Sequence, residues 1–412
     1  MSFELKSGVS ESFLSMASRG EKIFSVSLLL FIAASILQPF DDLSRAFFFF
    51  GVVPSSMQLI YRHRHRLWQI VSADRIFIVI MLLLSYLLIS LFWTDEIASK
   101  VIFRYVRWWF ETVFFILAAF LYAVLKMPVR FPHGVAILSI ILLSSMISIC
   151  NYFLLHSYPE RLTGYGFLAH PILGASVLIM LWCVALLDRK VFASKIAIGL
   201  VSASLLFVFL FVVLTQSRGP LISLGVVCLF LLAGMIRRRT TFALSVLALS
   251  LLVFMLQPFI GDIAVLKNLT LRGDSYRIEI WGAVLKTAPD YWLFGNGLAS
   301  EFGATETGQM VSLQSVAHPH NLWLSMLFYS GIIGVLLLLG LIMSLFVQCL
   351  RFERYFRIIC FALVLLLNAL CFTDTYRLIS SPQAMWLIFW LPVALLVGYR
   401  VNLTPSGSES GR

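Results

Sequence analysis

Charge is in short supply in this chain. Of its 412 residues, 12% are charged and only 20 are acidic, about half the charged share of a soluble globular domain. A water-soluble fold of this length is therefore excluded. Paired cysteines are missing as well. Cys150, Cys183, Cys228, Cys349, Cys360 and Cys371 sit inside or at the ends of apolar runs, with no CxxC spacing. They offer no disulfide framework and no thiolate metal site, and read as small packing residues. There is no Walker motif, no glycine-rich nucleotide fingerprint, no DxD, and no close grouping of histidine and carboxylate along the sequence. Nucleotide-driven and metal-dependent chemistries are thus disfavoured; neither a metal nor another cofactor is expected, and the energy for a reaction must come from the substrate's own activated bond. The first apolar run ends in Gln38-Pro39-Phe40-Asp41-Asp42 without a small-x-small cleavage pattern, so no cleaved signal peptide is expected.

What the chain has in abundance is apolar sequence: 60% of its residues are hydrophobic and the mean hydropathy is +0.94. Apolar stretches of a length suited to a bilayer follow one another with short charged breaks. Candidate spans are 23–40, 44–60, 76–93, 108–125, 134–155, 167–187, 194–215, 219–236, 241–260, 321–348, 357–373 and 383–399. The expected fold is therefore all-α, a polytopic membrane protein with about twelve transmembrane helices. The second span, holding Gly51 and Pro54, is the weakest of them. Residues 1–260 would carry helices one to nine, 261–320 a long outer loop, 321–400 the last three helices, and 401–412 a Ser- and Gly-containing tail. Long loops of this kind are usually functional. Within it, Asp274 is placed to cap a helix with Tyr276, Ile280, Ala283 and Val284 on one apolar stripe, closed by Pro289-Asp290 and a Gly295-Asn296-Gly297 turn.

The net charge of +11 suggests a nucleic-acid partner until the positions are considered. With the N-terminus inside, 20 of the 31 Lys and Arg residues fall on the cytoplasmic side and 11 outside, as the positive-inside rule requires. Both termini are then cytoplasmic. The clusters Arg62-His63-Arg64-His65-Arg66 and Arg237-Arg238-Arg239 fall in short inner loops on this reading, where they would anchor to anionic lipid headgroups. Membrane lipids are the expected partner of these residues, and nucleic acid is not.

Four separated stretches bring unusual polar residues to the outer level: Arg161-Leu162-Thr163-Gly164, Gln216-Ser217-Arg218-Gly219-Pro220, Asp274-Ser275-Tyr276-Arg277, and His318-Pro319-His320-Asn321. Arg218 sits between two spans joined by a few residues, so its charge stands close to hydrocarbon and needs compensation. A snorkelling arginine at a headgroup is the plain alternative. Gly219 and Pro220 favour a tight turn into a helix N-terminus, whose free N–H groups attract anions, and so a phosphate cradle with Ser217 and Arg218. Arg277, early in a helix, calls for an anionic partner, either a ligand or Asp274 and Glu279. Two guanidinium groups suit one pyrophosphate. A lone histidine is more often structural than catalytic, but His320 lies where the long loop re-enters the membrane, and an imidazole titrating near neutrality is the natural base for an alcohol nucleophile. His318 and Asn321 flank it as orienting or substrate-binding groups, and His170 is a weaker candidate for substrate contact.

These residues carry a family resemblance. His320-Asn321, nine residues from Leu322 to Ser330, then Gly331-Ile332-Ile333-Gly334 fit the HN-x9-GxxG pattern of bacterial O-antigen ligases. Ser217-Arg218-Gly219, Arg277 with Trp281, and Gly295-Asn296-Gly297 resemble the wider O-antigen ligase and polymerase superfamily in the same order. The resemblance implies a lipopolysaccharide-biosynthesis glycosyltransferase in the inner membrane of a Gram-negative bacterium, with the long loop and active site periplasmic. Such a transferase moves O-antigen polysaccharide from undecaprenyl pyrophosphate to a sugar hydroxyl of the lipid A-core. On that pattern His320 would be the base, with inversion at the anomeric carbon. Arg218 and Arg277, with Arg161 as a third contact, would bind the pyrophosphate, supported by Ser217, Tyr276, His318, Asn321 and His170. An O-antigen polymerase or a protein O-oligosaccharyltransferase would share the donor. A lipid-glycan transporter is the non-enzymatic alternative, disfavoured because the polar groups gather at one face rather than at the midplane.

Overall fold

The computed structural model describes residues 18–38, 41–94, 97–125, 132–155, 160–235, 277–302, 318–372, 374–375 and 377–401. The expected span 241–260, the Arg237-Arg238-Arg239 cluster, Asp274, Tyr276, most of the 261–320 loop and the 402–412 tail lie outside them. Among the described residues every regular element is helical. In chain order they are α1 (Arg19–Leu37), α2 (Asp41–Phe47), a π-helical turn (Phe48–Val52), α3 (Val53–Ala73), α4 (Arg75–Ile89), α5 (Ser99–Val124), α6 (His133–Leu155), α7 (Pro171–Ala185), α8 (Lys195–Leu214), α9 (Arg218–Met235), α10 (Arg277–Tyr291), α11 (Leu322–Cys349), α12 (Arg354–Cys371), a second π-helical turn (Trp386–Trp390) and α13 (Leu391–Val401). Eight helical stretches are long and apolar enough to cross a membrane by length and composition, and Pro171–Ala185, Arg218–Gly234 and Trp386–Val401 are shorter apolar helices.

Two elements differ from the expectation. The weak second span is one helical stretch from Asp42 to Ala73, longer than 44–60. The π-helical turn at Phe48–Val52 leads directly into Pro54, and a widened turn absorbs the backbone bond that proline cannot donate. Ser55 and Ser56 hydroxyls bond back to the carbonyls of Gly51 and Val52, both at 2.6 Å. Because α3 continues so far, Arg62, Arg64 and Arg66 lie on a helix rather than in a short loop. Likewise α10 runs through Pro289 to Tyr291 instead of closing at Pro289-Asp290, while Ile280 and Val284 of its expected stripe are buried.

The centre of the bundle is taken by two of the three shorter apolar helices. Residues Ala175 to Ala185 of α7, and Trp386 to Val397, are buried on every side, as expected for helices apolar all round. Being short, they are entered through largely irregular backbone, residues 160–170 with one 3-10 turn at Gly166–Leu168 on one side, and 374–375 and 377–383 on the other. In a bilayer such backbone is tolerated only where protein satisfies it. Ser380 shows how: its N–H donates to Thr112 Oγ1 at 3.3 Å, and its carbonyl accepts from that hydroxyl at 3.1 Å and from Trp386 Nε1 at 3.2 Å. Trp390 Nε1 similarly donates to Leu378 O at 2.7 Å.

The third break lies inside α11. Gly331 has φ 62° and ψ −166°, and the turn after α10 threads into the opened helix. Asn296 N donates to Phe328 O at 2.8 Å, Gly297 N to Tyr329 O at 3.0 Å, and Ile332 N to Trp292 O at 2.7 Å. Tyr86 on α4 donates to Ser330 O at 2.9 Å. A Cβ on Gly331 would strike the carbonyl of Leu293, and one on Gly295 would strike Ser330 N. The Gly295-Asn296-Gly297 turn and the GxxG of α11 are therefore two halves of one junction. Gly331→Ala should lower stability by about 1–3 kcal/mol from the backbone conformation alone, measured as a reduced midpoint of thermal unfolding in detergent; Gly340→Ala, with open space at its Cβ, should not.

Candidate active site

His320 stands immediately before Asn321, the N-cap of α11. It adopts φ 54°, one of two non-glycine residues among those described with positive φ. Histidine reaches this left-handed region more readily than most residues, at a cost of about 1–3 kcal/mol that the surroundings must offset. Asn321 provides part of that support as the N-cap of α11, its Oδ1 accepting from Trp323 N at 2.9 Å and Leu324 N at 3.3 Å. His318 provides more: its Nδ1 accepts the His320 backbone N–H at 3.2 Å, and the two rings lie 4.1 Å apart. From α10, Trp281 Nε1 donates to Pro319 O at 3.0 Å. Arg277 stands one helical turn before that tryptophan, half-buried at the start of α10.

The imidazole of His320 is held by Asp374, whose Oδ1 hydrogen-bonds to Nδ1. Asp374 is 3% exposed and comes from the segment after α12, outside the four polar stretches that stand out in the sequence. The second carboxylate oxygen lies 3.5 Å from His170 Nδ1. His170 caps α7, that same nitrogen accepting Leu173 N–H at 3.4 Å, with Pro171 following at the first helical position. The cap and the approach to Asp374 use one nitrogen, so the first needs Nδ1 without a proton and the second needs a proton on it.

Two of the arginine stretches meet at the same end of the bundle. Arg161 Nε donates to Thr215 O at 2.8 Å and its Nη2 to Ser217 Oγ at 2.9 Å. Leu162 N donates to Leu214 O at 3.1 Å. Gln216, the second residue with positive φ, at 52°, reverses the chain between α8 and α9. Ser217 is buried and Arg218, the first residue of α9, is exposed. Arg161 thus builds the turn that presents Arg218 at a helix N-terminus. Tyr276 lies outside the described residues.

Burial, with the neighbouring His320, Arg377 and His170 reinforcing it and Asp374 opposing it, pushes the His318 imidazole down to about 4. His318 is therefore neutral near pH 7, consistent with Nδ1 acting as an acceptor. His170 is lowered as well, chiefly by burial and also by Arg161 and His320, against the raising effect of Asp374. His318, His320 and Asp374 each bring one potential metal-binding atom within 4.8 Å of the others, a grouping that 54 residues of separation between His320 and Asp374 hid from the sequence. One nitrogen of each ring is already engaged, His320 Nδ1 by Asp374 and His318 Nδ1 by a backbone amide.

An apolar helical bundle with an oriented histidine–carboxylate pair beside an arginine turn is a membrane protein with an enzyme-like site. Comparison with known proteins shows what this chain is similar to. Residues 202–339 match the family described as O-Antigen ligase, a stretch that contains Ser217, Arg218, Arg277, His318, His320 and the Gly331 junction. The chain is similar to the O-antigen ligase of Pseudomonas aeruginosa, with 26% identity over 378 residues, covering 90% of this chain and 88% of that protein. The O-antigen ligase resemblance carried by the sequence motifs is thus borne out along nearly the whole chain.

The His318 shift has a signed consequence. The unfolded chain binds a proton at this residue more readily than the folded one, so stability falls as pH drops from about 6.5 towards about 4. Thermal unfolding midpoints measured across that window should fall less steeply in His318→Gln than in the unsubstituted protein.

Proposed function

We propose that this chain is an O-antigen ligase: an inverting, metal-independent glycosyltransferase that joins O-antigen polysaccharide, delivered on undecaprenyl pyrophosphate, to a sugar hydroxyl of the lipid A-core at the periplasmic face. The observation that carries the reading is the His320–Asp374 pair. A carboxylate on Nδ1 selects the tautomer with its proton there and leaves the Nε2 lone pair for substrate, the division of labour used wherever a histidine activates a hydroxyl.

In this reaction His320 Nε2 takes the proton of the acceptor hydroxyl. The oxygen attacks the anomeric carbon, forming the new glycosidic bond as the carbon–oxygen bond to pyrophosphate breaks, and the electron pair leaves with the pyrophosphate. Asp374 stabilises the imidazolium that forms. Arg218 and Arg277 bind the charge that grows on the departing group, where fixed guanidinium groups need no reorganisation. Arg161 contributes through the turn it holds, and the helix N-terminus at Arg218 adds its dipole. His318, neutral, fixes the backbone of His320, and His170 shares Asp374 with it. Lipid pyrophosphate is already a good leaving group, so orientation and charge stabilisation suffice.

The reading makes direct demands on variants. His320→Ala should lower kcat by about 10²- to 10⁴-fold and Asp374→Asn by about 10²-fold or more, each with donor binding retained. Arg218→Ala or Arg277→Ala should each cost about 10²- to 10³-fold in kcat; unchanged turnover would remove them from the leaving-group role. Chelator should leave the rate of the purified protein unaltered, and its abolition would overturn the metal-free mechanism. In the cell, gene deletion should strip O-antigen from lipid A while polymer accumulates on the carrier lipid. Capping by a single repeat would indicate a polymerase instead.

A further inference from the structure

A second set of charges lies away from the arginines assigned to pyrophosphate. Halfway along α5, about 18 Å from its start at the helical rise per residue, Glu111 is 9% exposed and its Oε1 lies 3.3 Å from Arg107 Nε. Its other oxygen, Oε2, is buried without a hydrogen-bond partner among the described residues. Ionisable groups inside a membrane helix are costly and mark functional sites by default. Arg45 of α2 stands beside this pair. Its ion pair with Asp42 is long, at 3.5 Å, and that carboxylate is 93% exposed, so the contact binds it weakly.

Arg45 lines two cavities. One, of about 270 Å³, is also lined by His170, Asp374, Ser381 and Pro382. The other, of about 640 Å³, is also lined by Arg107, Glu111, Ser381 and Pro382, with Phe103 and Phe110 on its wall. Arg45, Ser381 and Pro382 are common to both, so the cavities adjoin across them. Neither is lined by Arg161, Ser217, Arg218 or Arg277. Phe103 and Phe110 are 71% and 63% exposed, an apolar flank towards the lipid. Arg104 stacks on Trp108 at 5.4 Å, adding a third cation to the same stretch of α5. The arrangement is amphipathic and positive: aromatic rings on the lipid side, guanidinium groups in the middle, and the partner carboxylate of His320 at the inner end.

We infer that this double cavity is the acceptor subsite, and that Arg45, with Arg107 held by Glu111, binds a phosphate group on a phosphorylated glycolipid whose sugar hydroxyl reaches the His320–Asp374 pair. The inference rests on the glycosyl-transfer reading and assigns its two substrates to different cations. Arg45 and Arg107 are specificity residues here: they act on acceptor affinity, and the leaving-group arginines act on turnover. The unsatisfied Glu111 oxygen accepts from a hydroxyl of the bound glycan or from a water carried in with it. Bulk anionic phospholipid has the same headgroup chemistry, and the test separates the two.

The experiment uses full-length protein in nanodiscs, with a lipid A-core acceptor supplied in its phosphorylated form and after enzymatic dephosphorylation. Arg45→Gln, an exposed substitution that leaves the fold intact, should raise the KM for phosphorylated acceptor at least tenfold. The donor KM and kcat should stay within about twofold, and the variant should match the unsubstituted protein on dephosphorylated acceptor. Glu111→Gln should raise acceptor KM in the same direction. An unmoved acceptor KM, or a rise in donor KM, overturns the assignment while leaving the transferase reading in place. A loss that is equal for both acceptors and follows the anionic phospholipid content of the nanodisc identifies a structural lipid and also overturns it. Direct binding of phosphorylated acceptor, followed by native mass spectrometry, needs no turnover. Arg45-dependent binding by a protein that transfers nothing would keep the subsite and discard the ligase reading, whereas binding insensitive to Arg45→Gln would discard the subsite.

Discussion

Every peptide group that leaves a helix inside a bilayer must find a partner within the protein, and three breaks in helical structure among the described residues are organised by that demand. At 377–383 the partners are Thr112, Trp386 and Trp390. At 160–170 they include the end of α8, through Leu162 N to Leu214 O. At Gly331 they are the 292–297 turn and Tyr86. The same breaks carry Asp374, Arg161 and His170, and the loop joined to α11 carries His318 and His320. Polar side chains enter an otherwise apolar bundle along the segments whose backbones had to be satisfied anyway.

Electrostatically the site is built around a single buried carboxylate. Asp374 touches His320 and His170 with its two oxygens, and its field opposes the downward pull that burial exerts on His170 and His318. Of the arginines near the site, Arg161 organises backbone, and Arg218 and Arg277 each begin a helix. This separation lets proton transfer and leaving-group stabilisation be handled by different elements in the proposed reaction.

Much of this was legible from the chain alone, for identifiable reasons. Long apolar runs report bilayer spans because hydrocarbon tolerates little else, so the edges of α6, α8, α9 and α11 fall within a few residues of those expected. His320 and Arg218 were visible because a histidine or an arginine at the end of an apolar run is costly enough to need a reason. Asp374 was not visible: it follows α12 in a segment that resembles an ordinary helix end, and its meaning appears only when α7 and α11 bring His170 and His320 to it. The continuation of α3 and α10 beyond their expected ends has a similar cause. Pro54 and Pro289 are breakers in sequence, yet side-chain hydroxyls such as Ser55, Ser56 and Thr287, with Tyr291, bond to the carbonyls of those turns. The tertiary setting overrides local preference.

The distance between His320 and Gly331 can be read as a ruler. Asn321 starts α11 and Gly331 interrupts it, so the intervening residues form about two and a half turns, a rod roughly 14 Å long. One end carries the histidine; the other is fastened to the loop through the 292–297 turn. Adding or removing a residue in that rod would rotate one end against the other by about 100° and slide it by about 1.5 Å, turning His320 away from Asp374 even with every side chain intact. The nine-residue interval in the motif therefore acts as an angular setting, and it constrains the number of residues there more tightly than their identity.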